Sequence, residues 1–580
     1  MDVTDDVTDA VSVALEQGRA RLAAGRGSLA VRAHGSHVLV GPLVVPDGQG
    51  GCADCALAWW TDVAPHTAGG PPSDVGLDWA PVVRGMVARV LADEPAQWRR
   101  AVLVLDRTTG VLSTHRFVPH PACVVCAVPP DPPAPLDLTT PQPALGGPLR
   151  TLPIDRGTLR EHLLDERFGP VVQVDRDEAT PPARVRATVV VPGRSRVEHG
   201  AGRATSFIAG EVPAVLGALG RVLGGHRRPA VPVVVASYDE VADHAVDPRR
   251  LGTHEPGHPA YEPFARARTT SWVWGYSTRE DREVLVPEHV AYRHEKGVGA
   301  RFVHESSTGC AVGGSREEAV LHGLLDVVER DAAMLAWYTR ARLVEIETSD
   351  ELASLRDVLA ERGMRLRVLD LTSDFRVPVA LAVAVGDEDA VRRGQAPARA
   401  VGTGVGADPR TAVRSAAETC TALASDPRVR RGAARCRPAL ADHDLVRTPQ
   451  DHVGLHALAD ARPLGAFLDR PVGFATAAEL ATRPTLPTGD VARALRELLA
   501  RTHTLGLDVV VVDQSAPELV DALGLHAVKV LVPGTVPLTH GHRNRRTVGL
   551  PRLACGAAIL HGGVPWDDDR RFHAAPHPFP

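Results

Sequence analysis

SSTGCAVGGSREEAVLHGLLDVVERDAAMLAWYTR, Ser306 to Arg340, is the stretch from which the rest of the chain can be read. Ser315 is followed three residues later by Glu318, the spacing of a capping box, so a helix is expected to start here. Leu321, Leu324, Leu325, Val328, Ala332 and Leu335 recur at helical spacing and form its apolar side. Glu318, His322, Asp326 and Glu329 then fall at i, i+4, i+8 and i+11, one polar stripe. A solvated helix face satisfies that periodicity. The sharper reading is a carboxylate stripe holding Mg²⁺ beneath nucleotide phosphates, because hard cations take oxygen ligands.

Around this segment, β-rich runs alternate with helical patterns. RATVVVPG, PAVPVVVASY, RLRVLDLT, VPVALAVAVG, LDVVVVDQS and AVKVLVPG read as strands, and 315–340, 409–425 and 490–504 as helices. The expected fold class is α/β or α+β, a large domain over 151–580 with mixed sheets and packed helices. Residues 128–150, VPPDPPAPLDLTTPQPALGGPLR, are proline-rich without apolar periodicity and read as a semi-rigid linker. Before it, 1–127 reads as a small α+β module, with one short helix in 1–30 and a β-like run leading into each of two cysteine pairs.

Those pairs are GCADC and PACVVC. Cys52, Cys55, Cys123 and Cys126 make two C-x2-C arms, enough to close a tetrahedral structural Zn²⁺ site, with redox pairs or disulfides as the alternative. Cys310, Cys420, Cys436 and Cys555 stand alone, and the acidic N-terminus has no secretory signature, so a reducing, cytoplasmic setting is expected. A net charge of −5 leaves no nucleic-acid footprint, and no apolar run approaches the roughly 18 residues of a membrane span. Lys296 and Lys529 are the only lysines and neither completes a G-x-x-x-x-G-K-[ST] phosphate loop. The many histidines, in loops such as THEPGHPAY and THGHRNRR, read as structural or solvated, with a second metal site as the alternative, and Arg543, Arg545 and Arg546 as surface charge, with a phosphate- or peptide-facing cluster as the alternative.

The 306–340 segment resembles the YcaO family, whose members show a glycine-rich S/N-T/N-G-x-A-x-G loop and then a helix reading E-A-x-x-Q-G-x-x-E-x-x-E-R. VVVVDQS, VKVLVPGTVPL, LPRLACG and WVWGYST with VLVPEHVAY resemble further family strands. The ending PHPFP, Pro576 to Pro580, resembles the proline-alternating tail of azoline-forming members. The resemblance covers roughly 150–580, and the two cysteine pairs resemble the zinc-bearing end of a truncated ThiF-like (E1-like) module. It implies a D-type cyclodehydratase subunit that activates peptide amides with ATP and Mg²⁺ on ribosomally made precursor peptides, converting Cys, Ser or Thr to thiazolines or oxazolines. Carried over position by position, Arg203, Glu318, His322, Asp326, Glu329 and Arg330 would serve nucleotide and Mg²⁺, with Glu329 and the carboxylate of Pro580 as catalytic groups.

The sequence also departs from the family pattern. Where members carry a glutamate pair after a G-K/R-G loop, this chain reads GAGRATSFIAGEVPAVLGALGRVLGGHRR; the glutamate positions fall on Gly217 and Gly220, with Arg221 retained. No carboxylate occurs between Val212 and Tyr238. His322 replaces a glutamine and Asp326 a glutamate, and in GTGVGADPRTAVRSAAETCTAL the expected glutamate falls on Thr419, beside Glu418. Losing those ligands weakens a Mg²⁺–triphosphate site. The alternative is therefore a degenerate, nucleotide-poor scaffold subunit without its own catalysis. With one helix of room in 1–30, a separate leader-binding ThiF-like partner is expected. A flavin-dependent azoline dehydrogenase is a further expected partner, and a homodimer is open.

Overall fold

The computed structural model describes residues 28–44, 50–64, 78–123, 131–560 (apart from 148, 152–153, 179–180, 195, 205, 300 and 349) and 572–580. The helix expected in 1–30 and the ligand Cys126 lie outside the described residues.

The N-terminal module is an antiparallel sheet in the order β1 (Ser28–His34), β2 (His37–Val44), β3 (Ala101–Asp106), β4 (Leu112–Arg116). Strict alternation sorts its side chains. Val38, Val40, Leu103 and Leu105 pack with Trp79, Val83, Met86 and Val90 around helix α2 (Ala80–Ala92). Leu39, Val102 and Val104 face the other way, onto α1 (Ala53–Val63). That second face continues into the core of the large domain, through Leu159 of α3 (Arg156–Leu163) and the three-stranded sheet β5 (Val171–Asp177), β6 (Ala183–Val190), β7 (Val197–Ala204). Helix α4 (Phe207–Leu223) lies on this sheet. Gly202 lets it come close, since a Cβ there would collide with the Gly210 carbonyl oxygen.

Two larger sheets follow. One pairs β10 (Arg282–Pro287), β9 (Thr269–Ser277), β17 (Val510–Asp513), β18 (His526–Leu531) and β11 (Cys310–Gly313), with β8 (Val234–Ser237) against β9. The other runs β15 (Arg399–Val405), β14 (Val379–Gly386), β13 (Met364–Asp370), β12 (Glu345–Ile346), β16 (Phe474–Ala475). Among the described residues every ladder is antiparallel except β12 with β16, so the fold is α+β.

Helix α5 (Arg316–Thr339) is central. Its leucines meet Val528 and Val530 of one sheet and Leu381, Val383 and Val401 of the other in one core, which α7 (Val491–Thr504) joins. Helix α6 (Pro409–Ser425) covers β14 and β15. Ser315 caps α5 by accepting the Glu318 N–H at 3.1 Å. The reciprocal half of the expected capping box does not form, because charged and hydroxyl donors elsewhere take the Glu318 carboxylate.

Residues 131–150 lie against α5. Gln142 donates to Glu317 at 2.8 Å and accepts from Ser315 at 2.7 Å, Arg316 donates to the Ala134 carbonyl at 2.6 Å, and Leu136, Leu138 and Ala144 rest on the core. Arg546, read as surface charge, is buried with Glu305 at 2.7 Å. Lys529 is also buried there, donating to the Thr308 carbonyl at 2.7 Å and so fixing the loop ahead of β11. No helix among the described residues is long and apolar enough to cross a membrane.

Candidate functional site

A pocket of roughly 570 Å³ opens between α4 and α5. Pro213, Leu216, Gly217, Gly220 and Arg221 of α4 form one wall, His322 and Asp326 of α5 with Cys310 to Val312 of β11 the other, and Arg150 its rim. Its polar groups are already engaged. Asp326 accepts the Gly309 N–H at 2.9 Å and Arg330 Nε at 3.2 Å. His322 donates to the Leu149 carbonyl at 3.1 Å, and burial with Arg150 nearby lowers its pKa to about 4, so the ring is neutral near pH 7. Glu318 is fully buried behind the pocket, where its carboxylate accepts from Arg150 at 2.7 Å and from the Thr151 hydroxyl and N–H at 2.6 and 2.8 Å.

One turn deeper, Glu329 accepts the Thr403 hydroxyl at 2.5 Å and faces Arg330 at 3.2 Å. Burial raises its pKa, with Asp326 adding to the rise. The six residues assigned to nucleotide and Mg²⁺ thus divide. His322 and Asp326 line the pocket, Glu318 is sealed off from it, and Glu329 and Arg330 turn towards β15. Arg203 lies in the interior beside Arg184, Arg221 and Glu418; burial first, then the neighbouring arginines, brings its pKa down to about 10.

The tail, His573 to Pro580, threads into the same region from the far side. His452 and His456, from Pro449–His456, donate to the carbonyls of His577 and Pro576 at 2.7 and 2.8 Å. Trp337 donates to the Ala575 carbonyl at 2.9 Å, and His577 to the Thr539 carbonyl at 2.9 Å. The His452 and His577 rings stack at 4.0 Å, and Phe579 is 1% exposed. The ring of His540 faces the Pro580 backbone, close enough to Arg330 and Arg221 that both add to the lowering of its pKa by burial. Pro580 and Glu329 therefore lie in the region of a common arginine, Arg330.

In the N-terminal module, Cys52 Sγ lies 3.7 Å from Cys55 Sγ and 3.5 Å from Cys123 Sγ. The cluster sits beside Trp59 and Phe117 in the shared core.

A family model described as YcaO cyclodehydratase, ATP- and Mg²⁺-binding, matches residues 201–536. The chain belongs to the YcaO family. Among solved structures it is similar to a heterocyclase in complex with substrate and cofactor (TM-score 0.71, 20% identity, 98% of this chain and 80% of that one). It is also similar to the heterocyclase TruD (TM-score 0.64, 19% identity, 98% and 77%). An uncharacterized protein of Methanothermobacter thermautotrophicus is 34% identical over 148 residues, 24% of this chain. The chain spans 38% of the length of that curated relative.

Within this YcaO chain the donor set does not fit Mg²⁺. A cation of that kind needs several free oxygens, and the pocket offers Asp326, already compensated by Arg330. A Cβ at Gly217 would meet nothing within 4 Å and one at Gly220 only Val312 at 3.5 Å, so the α4 wall has space where side chains could project. Arg150, Thr403, His540 and the tail-holding His452 and His456 were not foreseen as site residues. The hydroxyl of Thr403 in GTGVG, within β15, was the one local signal available.

Proposed function

We propose that the chain is the YcaO subunit of a peptide heterocyclase, acting on Cys, Ser or Thr of a ribosomally made precursor with a separate leader-binding partner. The tail supports this reading most directly: five ring-borne hydrogen bonds and contacts seat Ala575 to Pro580, with Trp337 of α5 among them. Ring closure needs an acceptor for the proton of the attacking thiol or hydroxyl, and positive charge for the oxyanion that forms. The Pro580 carboxylate serves as acceptor, with His540 orienting it. Arg330, held by Glu329, Asp326 and Thr403, and Arg221 supply the positive charge.

The Cys52, Cys55 and Cys123 separations support a structural Zn²⁺ with Cys126 as fourth ligand, since thiolates about 2.3 Å from a tetrahedral ion stand about 3.8 Å apart. The site staples the module on which the leader-binding partner would dock, and it takes no part in the chemistry.

One observation favours a second reading. The α4 wall carries glycines and an arginine where a cation site needs acids, which suits a subunit that presents peptide without nucleotide chemistry of its own. Reconstitution with the precursor and leader-binding partner separates the two. ATP-dependent loss of one water per ring, abolished by Glu329→Gln in this chain, is expected by mass spectrometry. Undiminished water loss with the variant overturns the catalytic reading in favour of the presenting one.

A further inference from the structure

A cluster away from the pocket's open face has the makings of a metal site. The turn after α4 is pinned to the segment following β10: His294 N–H donates to the Gly225 carbonyl at 2.9 Å and Arg293 N–H to Gly224 at 3.3 Å. This pairing stacks the rings of His226 and His294 with centroids 5.0 Å apart. Glu198, at the start of β7, closes the third side, with Oε1 3.3 Å from His294 Nε2. One donor atom from each of the three lies within 4.8 Å of the others.

His226 supplies the independent sign that something is missing. Its side chain is 8% exposed, yet neither ring nitrogen has a hydrogen-bond partner. Glu295 comes nearest, 3.6 Å from Nδ1. Buried imidazoles ordinarily satisfy at least one nitrogen, because an unmet one forfeits its hydration without return.

We propose that Glu198, His226 and His294 bind one divalent transition-metal ion of the zinc class. Ligands about 2.1 Å from a tetrahedral ion stand about 3.4 Å apart, near the 3.3 Å between Glu198 and His294. Two imidazoles select this class over Mg²⁺ or Ca²⁺. Arg196 donates to Glu198 at 2.8 Å and Arg194 to Glu295 at 2.8 Å, holding both carboxylates in place while tempering their charge; Arg293 stands 3.8 Å from Glu198. At 27% exposure, His294 leaves the ion a way in and a fourth position for water. The ion would tie β7 to the end of α4, where Arg221 donates to the carbonyl of His199, next to Glu198.

The test is Co²⁺ titration of the metal-stripped full chain, followed by absorption, in the wild type, His226→Asn and Glu198→Gln. Thiolate-bound cobalt carries intense sulfur-to-metal charge-transfer bands, which reports the cysteine cluster separately. The wild type is expected to take up one cobalt showing d–d bands without that charge transfer. Both variants should bind it at least about tenfold more weakly, the scale of removing even a supporting group, with the thiolate bands unchanged. Should His226→Asn fail to fold, Glu198→Gln decides alone. Equal uptake by wild type and the folded variants, or cobalt seen only on thiolate, overturns the proposal.

Discussion

The two approaches to α5 are built to different standards. From the α4 side there is space without ligands: Gly217 and Gly220 face the pocket, and its single lining carboxylate, Asp326, is matched to Arg330. From the opposite side there are ligands without space: histidines and Trp337 grip the tail carbonyl by carbonyl, and Phe579 fills the core. Both meet the same helix. The tail side is closed by hydrogen bonds to successive carbonyls while the cation side lacks acids, so the part of the site that holds the tail and the part that would hold a nucleotide can be separated.

The comparison breaks most readily at Phe579. Phe579→Ala removes a fully buried ring, and a loss of about 3–5 kcal/mol of stability is expected in denaturant unfolding; a loss below about 1 kcal/mol would mean that the tail is not docked in solution. Next is Glu329→Gln, which keeps an acceptor for Thr403 and removes the charge facing Arg330. Ring formation should fall about 100-fold or more, read as azoline yield, with thermal unfolding little changed.

Acid tests the tail side as a whole. Burial lowers His452 to about 4 and His456 to about 3, so both are neutral in the folded chain while their unfolded counterparts titrate near 6.5. Between those values the unfolded state binds more protons. Stability is therefore complete above about pH 6.5 and falls with pH towards 4, by about 1.4 kcal/mol per pH unit for each histidine. Melting curves from pH 7 to 4.5 check this against His452→Gln, which should flatten the slope. The smallest expected effect sharpens the other side. Gly217→Glu with Gly220→Glu should tighten Mg·ATP binding about tenfold in calorimetry, worth about 1.4 kcal/mol. No change would mean that the pocket lacks more than those carboxylates.

How much of this was legible depended on how local each signal was. Helix α5 could be read from Ser315 and its leucines because caps and periodicity are short-range. Antiparallel pairing could not be told from the alternation of strands and helices, since register depends on partners far along the chain. Arg150 lies in a proline-rich run that resembles a linker, and its partner Glu318 is 168 residues away. The PHPFP ending was visible, but His452 and His456, which hold it, carry no mark distinguishing them from other histidines. The bare α4 wall was visible only as missing residues in a resemblance, and the structure adds that space remains beside both glycines.

Arg340 and Arg545 hold the start of the tail at His573 and Ala574, but from Ala575 to Pro580 it is fastened by uncharged rings and apolar burial. Neutral imidazoles and an indole have no Coulomb field for dissolved ions to damp, unlike the many exposed arginine–carboxylate pairs elsewhere on the chain. Concentrated salt strong enough to wash away a companion protein held by surface charge would leave this segment seated, so the chain could be stripped and rebuilt with its docked tail undisturbed.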